Sequence, residues 1–201
     1  MAIAFKRKGK GFVARLDDEE REIVVGLLEQ TREFVAPIPR ELTGDPFDDL
    51  VARLGMPRLE DWDGDADEEV RDPALKRLLP SAHRDDPALA AEFRRLTEHG
   101  LRERKAANLA TAIAALRDRE EGRSEGDKVK LDREQAQAMV VALTDVRLLL
   151  GERLELRTDE DADALQDRIE AASADDPQLY LAACYDFLTW LQESLLQALM
   201  A

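Results

Sequence analysis

The chain has 201 residues, 44% hydrophobic and 36% charged, and its 44 acids against 29 bases leave a formal net charge of -15. That length and apolar content suffice for one sizeable core, so a single domain is expected over residues 1–201, with a hairpin at 1–16 and a helical body at 17–201. No charge-free apolar run reaches the roughly 18 residues of a membrane span, one cysteine excludes an internal disulfide framework, and two histidines beside it cannot close an ordinary zinc site.

The charge is unevenly placed. Residues 1–15 hold Lys6, Arg7, Lys8, Lys10 and Arg15 and no acid, whereas 60–72 hold eight acids against Arg71 and 158–176 eight against Arg168. A body of this sign repels nucleic acid away from any local basic patch and favours basic partners, an effect that salt screens. The basic N-terminal residues are not followed by an apolar stretch of signal-peptide type, so a cytoplasmic location is expected.

In chain order, IAFKRKGKGFVARL reads as two extended runs about a GlyLysGly turn, a β-hairpin. Asp17 with Glu20 forms a capping-box pattern ahead of a helix that puts Ile23, Val24, Leu27, Leu28, Phe34 and Val35 on one face and stops before Pro37. AspPro recurs at Asp45/Pro46, Asp72/Pro73, Asp86/Pro87 and Asp176/Pro177. Each pair suits a helix start, since the carboxylate caps free N–H groups and proline at the first helical position loses no hydrogen bond. Between Pro87 and Glu121 the apolar stripe changes sides, Leu89, Phe93 and Leu96 lying opposite Leu109, Ile113 and Leu116. One straight helix cannot present both to one core, which places a break near Thr97 and Gly100; a kinked single helix is the alternative. Gly122–Asp127 is a loop, Asp132 with Gln135 starts another helix, Gly151 interrupts the run ending at Leu150, and Thr158 with Asp161 is a weaker start.

The last segment, from Pro177 to Leu199, is apolar nearly all round. Leu181, Cys184, Phe187, Leu188, Leu191, Leu195, Leu196 and Leu199 cover most of its circumference, while Asp186, Thr189, Glu193 and Gln197 form one narrow stripe. The expected fold is therefore all-α, a single-domain helical bundle round a central C-terminal helix, preceded by the short hairpin.

Candidate chemistry is sparse. Asp61, Asp63 and Asp65 resemble the opening of a calcium loop, but Ala66 stands where the turn needs glycine and Asp72 where the loop needs glutamate. His83 and His99 have no ligand-spaced companion, and no GxSxG, phosphate-binding glycine loop or HExxH occurs, so no catalytic residue, cofactor or metal is assigned. Cys184, at the centre of the apolar arc, reads as a buried hydrophobe; a redox role needs an accessible thiolate beside a base, and none is near in sequence. Lys6, Lys8 and Lys10 are the candidate nucleic-acid contacts, and Arg94, Arg95, Arg102 and Lys105 form a second patch if their helix is continuous. Neither carries the charge of a dedicated nucleic-acid module. Apolar anchors for a partner are Phe5 and Phe12, taken as exposed on the hairpin, and Trp190, which borders the polar stripe and is expected to be buried or in an interface.

Three blocks carry a family resemblance: DPALKRLLPSAHRDDPALAAEFRRLTEHGLRERK at 72–105, DVRLLLGERL at 145–154 and YDFLTWLQESLLQAL at 185–199. They resemble an uncharacterised, largely helical actinobacterial family that includes the actinomycete oxidative stress regulator. The resemblance implies a regulatory protein acting with a sigma factor on stress-response transcription. It also implies a neighbourhood of proteolytic-adaptor and sulfur-metabolism genes. With Tyr180 and Leu188 four residues either side of Cys184, there is no second thiol for paired-cysteine sensing.

These readings predict a non-enzymatic regulatory protein, a transcription co-regulator acting through a basic protein partner such as a sigma factor. Neither direct DNA binding nor membrane association is expected, and a homodimer is compatible with the sequence. The alternatives are a proteolysis-linked adaptor and an enzyme with a pocket between helices.

Overall fold

The first two runs form strands β1 (Ile3–Lys8) and β2 (Gly11–Arg15) in the computed structural model, which describes residues 1–37, 71–83, 85–118, 127–171 and 176–201. Lys8 pairs with Gly11, leaving a two-residue turn whose first member, Gly9, has φ +64°, the left-handed opening of a type II′ hairpin turn. The hairpin is part of a larger sheet. A third strand, β3 (Lys128–Leu131), pairs antiparallel with β2 to give the order β1-β2-β3. Gly11 permits this, because a Cβ there would lie 2.9 Å from the Leu131 carbonyl oxygen.

Side chains alternate across the pleat, and Phe5, Phe12, Ala14, Val129 and Leu131 are buried on the inner face. This corrects the expectation that Phe5 and Phe12 are exposed anchors: both are 4% accessible and belong to the core.

Six helices follow among the described residues: α1 (Asp18–Val35), α2 (Pro73–Leu78), α3 (Pro87–Arg117), α4 (Arg133–Arg153), α5 (Asp159–Ala171) and α6 (Pro177–Met200). The expected starts hold wherever the structure describes them. Asp17 with Glu20 and Asp132 with Gln135 make reciprocal capping boxes. Asp72, Asp86 and Asp176 accept from the N–H groups of Ala74, Leu89 and Gln178, each with proline opening the helix. Thr158 and Asp161 exchange side-chain bonds in the same reciprocal way ahead of α5. The Asp45/Pro46 start, the Asp61, Asp63 and Asp65 run and residues 122–126 of the expected loop lie outside the described residues.

Two expected interruptions are absent. Helix α3 runs unbroken through Thr97, whose hydroxyl donates back to the Phe93 carbonyl at 2.9 Å instead of capping a new helix. The two stripes are indeed on opposite sides, and the conflict is resolved by burying only one. Leu109, Ile113 and Leu116 enter the core, whereas Leu89, Phe93 and Leu96 are 43%, 47% and 57% exposed. Gly151 lies inside α4 and is buried, with the Tyr185 ring and the Arg77 guanidinium within 4 Å of where its Cβ would stand. The helix ends two residues later, at Arg153, in a Schellman arrangement: Leu156 N–H donates to the Gly151 carbonyl and Glu155 N–H to that of Glu152, with Glu155 at φ 61°.

The all-α class is as expected, with the sheet packed on α6, α4 and α3. Helix α6 contributes Leu188, Leu191 and Leu195 to the core and packs chiefly on α4 and β1, while α4 is the hub, touching α1, α2, α3, α6, β2 and β3. Arg21 lies inside the protein at 1% exposure, its guanidinium donating to the Leu116 carbonyl at 2.6 Å in the last turn of α3. A cation there meets the free carbonyls and negative dipole end of that helix.

Candidate functional site

Helix α6 is held in a fixed rotation, and that fixes which residues it shows to solvent. On its buried side Gln192 is 5% exposed and donates through Nε2 to the Val140 carbonyl at 3.0 Å and the Thr144 hydroxyl at 2.6 Å. Its Oε1 accepts from Arg147, whose guanidinium lies 5.2 Å from the centre of the Tyr185 ring. Ser194 accepts from the Phe5 N–H at 3.1 Å and donates to the Leu191 carbonyl, binding the helix to the edge of β1. A polar group buried between apolar surfaces tolerates no slip of register, because each lost bond leaves a desolvated partner.

The opposite side carries Tyr180, Asp186, Trp190, Glu193, Gln197 and Met200, all exposed. Trp190 is 37% accessible and stacks on Phe187 with ring centroids 5.9 Å apart and planes inclined by 20°. Its expected burial is thus incomplete. Asp186 and Glu193 stand one turn to either side along the same face, so a rigid aromatic pair is rimmed by two carboxylates. Aromatic residues concentrate binding energy at interfaces, and an acidic rim steers basic surfaces towards them.

The other candidates are distributed differently. Cys184 is 5% exposed beneath this face, and burial pushes its thiol above the ordinary value, with the Tyr180 hydroxyl a smaller opposing influence. That is the environment of an inert thiol. Lys6, Lys8 and Lys10 are exposed on the hairpin, and the structure adds Lys128 and Lys130 from β3, which sequence reading missed. The alternating KVKL ahead of the Asp132 cap was the available signal.

The proposed patch on α3 is largely internal wiring. Arg102 pairs with Glu98 at 2.8 Å and donates to the Ala36 carbonyl, and Lys105 pairs with the buried Asp145 at 2.6 Å. Burial alone would raise the pKa of Glu98, but hydrogen bonds from Arg102 and Arg71 hold it below the ordinary carboxylate value. At Asp145 burial outweighs a single lysine and the value is raised. His99 lies 3.4 Å from Glu103, one turn along the same helix, and the described residues contain no cluster of three or more metal-ligating side chains.

The fold and its exposed faces define a helical protein with a small three-stranded antiparallel sheet, in which no described helix is long and apolar enough to cross a membrane. The chain belongs to the family described as Domain of unknown function (DUF2017), whose model matches residues 2–199. No curated protein and no solved structure matches it significantly.

Proposed function

We propose that this is a non-enzymatic regulatory protein that works by docking a basic protein partner on the solvent face of α6. The observation that carries this reading is the stacked Trp190–Phe187 pair, partly exposed and flanked by Asp186 and Glu193 on a helix whose rotation is locked from behind. A sigma factor fits the partner's chemistry, because its DNA-binding region is basic, and a stress-response transcription co-regulator of actinobacterial type follows from the family resemblance. The test is a pull-down from the native lysate at about 0.15 M salt with wild-type protein and Trp190→Ala. Capture of a basic transcription protein by the wild type, reduced at least tenfold in the variant, supports the reading. Equal capture by both proteins, or capture of none, overturns it.

A second reading, a proteolysis-linked adaptor, is favoured by one observation: α3 presents a separate apolar stripe of Leu89, Phe93 and Leu96. An adaptor bridges two partners and needs two such faces. If Phe93→Ala and Trp190→Ala each abolish capture of a different protein, the adaptor reading stands.

A further inference from the structure

Helix α3 buries its C-terminal half and leaves part of its N-terminal half uncovered. Leu109, Ile113 and Leu116 enter the core, whereas Leu89, Phe93 and Leu96 are exposed. At about 100° per residue these three and Gly100 fall within roughly 60° of arc, one line on the solvent side of an unbroken helix. Gly100 is a notch in that line, since a Cβ there would meet nothing within 4 Å. Charges border the line on both sides. Asp86 and Arg104, both exposed, stand about five helical turns apart and therefore share one flank, while Glu92 and His99 share the other.

These residues are arranged symmetrically about one point. Leu89 with Gly100, and Phe93 with Leu96, lie equally far on either side of a point between positions 94 and 95; Asp86 with Arg104 and Glu92 with His99 do so to within about one residue. A twofold axis through that point, perpendicular to α3 and in the plane of contact, brings in a second copy of the helix antiparallel and lays each flank against its own counterpart. Leu89 then enters the Gly100 notch of the second copy, and Phe93 packs against Leu96. At the edges the Asp86 carboxylate meets the Arg104 guanidinium, and Glu92 meets the His99 imidazole. Each contact is made twice. A face that complements its own reversed image in both size and charge is what an isologous interface requires.

We propose that this stripe of α3 is a self-association face, pairing antiparallel with the same stripe of a second copy to form a homodimer. The contact from Asp86 to Arg104 is about 27 Å long. Two single helices meeting over that length fall below the roughly 1,200 Å² at which stable interfaces begin. The dimer is therefore a reversible one, with a dissociation constant of about 10–100 μM. The inference does not rest on the α6 reading, and it gives the α3 stripe to a second copy of this chain where the adaptor reading gives it to a second partner.

The test is sedimentation equilibrium of the full chain from about 5 to 500 μM in about 0.15 M salt. The proteins are wild type, Phe93→Ser, Gly100→Leu, Arg104→Glu and Trp190→Ala. Wild type is expected to follow a monomer–dimer equilibrium without larger species, because an isologous contact closes at two. Phe93→Ser removes a central ring and Arg104→Glu sets like charges together at both ends, so each should raise the dissociation constant about tenfold or more. Gly100→Leu discriminates most sharply. Its side chain meets no atom of its own chain and leucine is the better helix former, so the fold is kept while the face becomes more apolar. An unspecific apolar contact would tighten, whereas filling the notch that receives Leu89 should weaken the proposed dimer about tenfold or more. Trp190→Ala is expected to leave the equilibrium unchanged, and melting curves confirm that every variant folds. A wild type that stays monomeric at about 500 μM overturns the proposal. So does tighter association of Gly100→Leu, growth beyond the dimer, or a dimer that Trp190→Ala abolishes and Phe93→Ser does not.

Discussion

Replacing Lys105 by methionine should destabilise the protein by about 3 kcal/mol at pH 7. Asp145 is 2% exposed, and its Oδ1 accepts from Lys105 at 2.6 Å while Oδ2 has no hydrogen-bond partner. Methionine keeps the apolar stem and removes the ammonium, leaving a carboxylate with neither oxygen satisfied. Breaking a buried ion pair from one side costs about 3–5 kcal/mol. The lower figure applies because the Lys105 side chain is 20% exposed and water can reach the vacated position. At roughly 2–4 °C per kcal/mol for a chain of this size, the melting temperature should fall by about 6–12 °C. The double variant Lys105→Met/Asp145→Leu should recover to within about 1 kcal/mol of wild type, since an apolar pair can replace a buried ionic one at little cost. The deficit of the single variant also depends on pH. Burial raises the pKa of Asp145 above its ordinary value even beside Lys105, so the folded state holds the proton more tightly than the unfolded one. Its stabilising contribution is fully present below the unfolded value and is lost as pH rises through the folded value. Urea titrations followed by circular dichroism should therefore show a smaller deficit at acid pH than at pH 7. A loss under about 1 kcal/mol at pH 7, or a double variant no more stable than the single, would refute the reasoning.

Two further outcomes concern α6. Leu188→Ala and Leu191→Ala, each removing a side chain at most 1% exposed, should each cost about 2–5 kcal/mol in the same titration; near-wild-type stability would mean that the helix is not a core element. Native Cys184 should react with a thiol reagent many times more slowly than the urea-unfolded protein, since burial both blocks access and raises its pKa, and equal rates would remove the inert-thiol assignment.

Much of the helical framework was legible because its signals are local. An aspartate capping an N–H two or three residues away needs no knowledge of the fold, and the described AspPro and capping-box starts are where such spacing puts them. Strand β3 was not legible as part of the sheet: it is four residues long, and its partner β2 lies far upstream, so only folding reveals the pairing. The same holds for Lys105 and Asp145, which are 40 residues apart. Phe5 and Phe12 were placed on the wrong side because alternation defines two faces without saying which one meets the helices. The break near Thr97 was inferred from the premise that every apolar stripe is buried in one core. Helix α3 violates that premise, and the exposed stripe is the informative result. Trp190 was placed correctly beside the polar stripe, but its degree of exposure depends on how α6 is rotated by Gln192 and Ser194, whose partners lie on α4 and β1.

The bond from the Phe5 N–H to the Ser194 hydroxyl spans 189 residues. Strand β1 is synthesised 189 residues ahead of Ser194, so until then that amide has no such acceptor. Until then the strand is an edge with an unmet donor, the kind of template on which foreign strands add. The cations Lys6, Arg7 and Lys8 lie on that strand, and like charges on two copies would repel before their backbones could pair. Its basic character thus also guards an edge whose closure waits for α6.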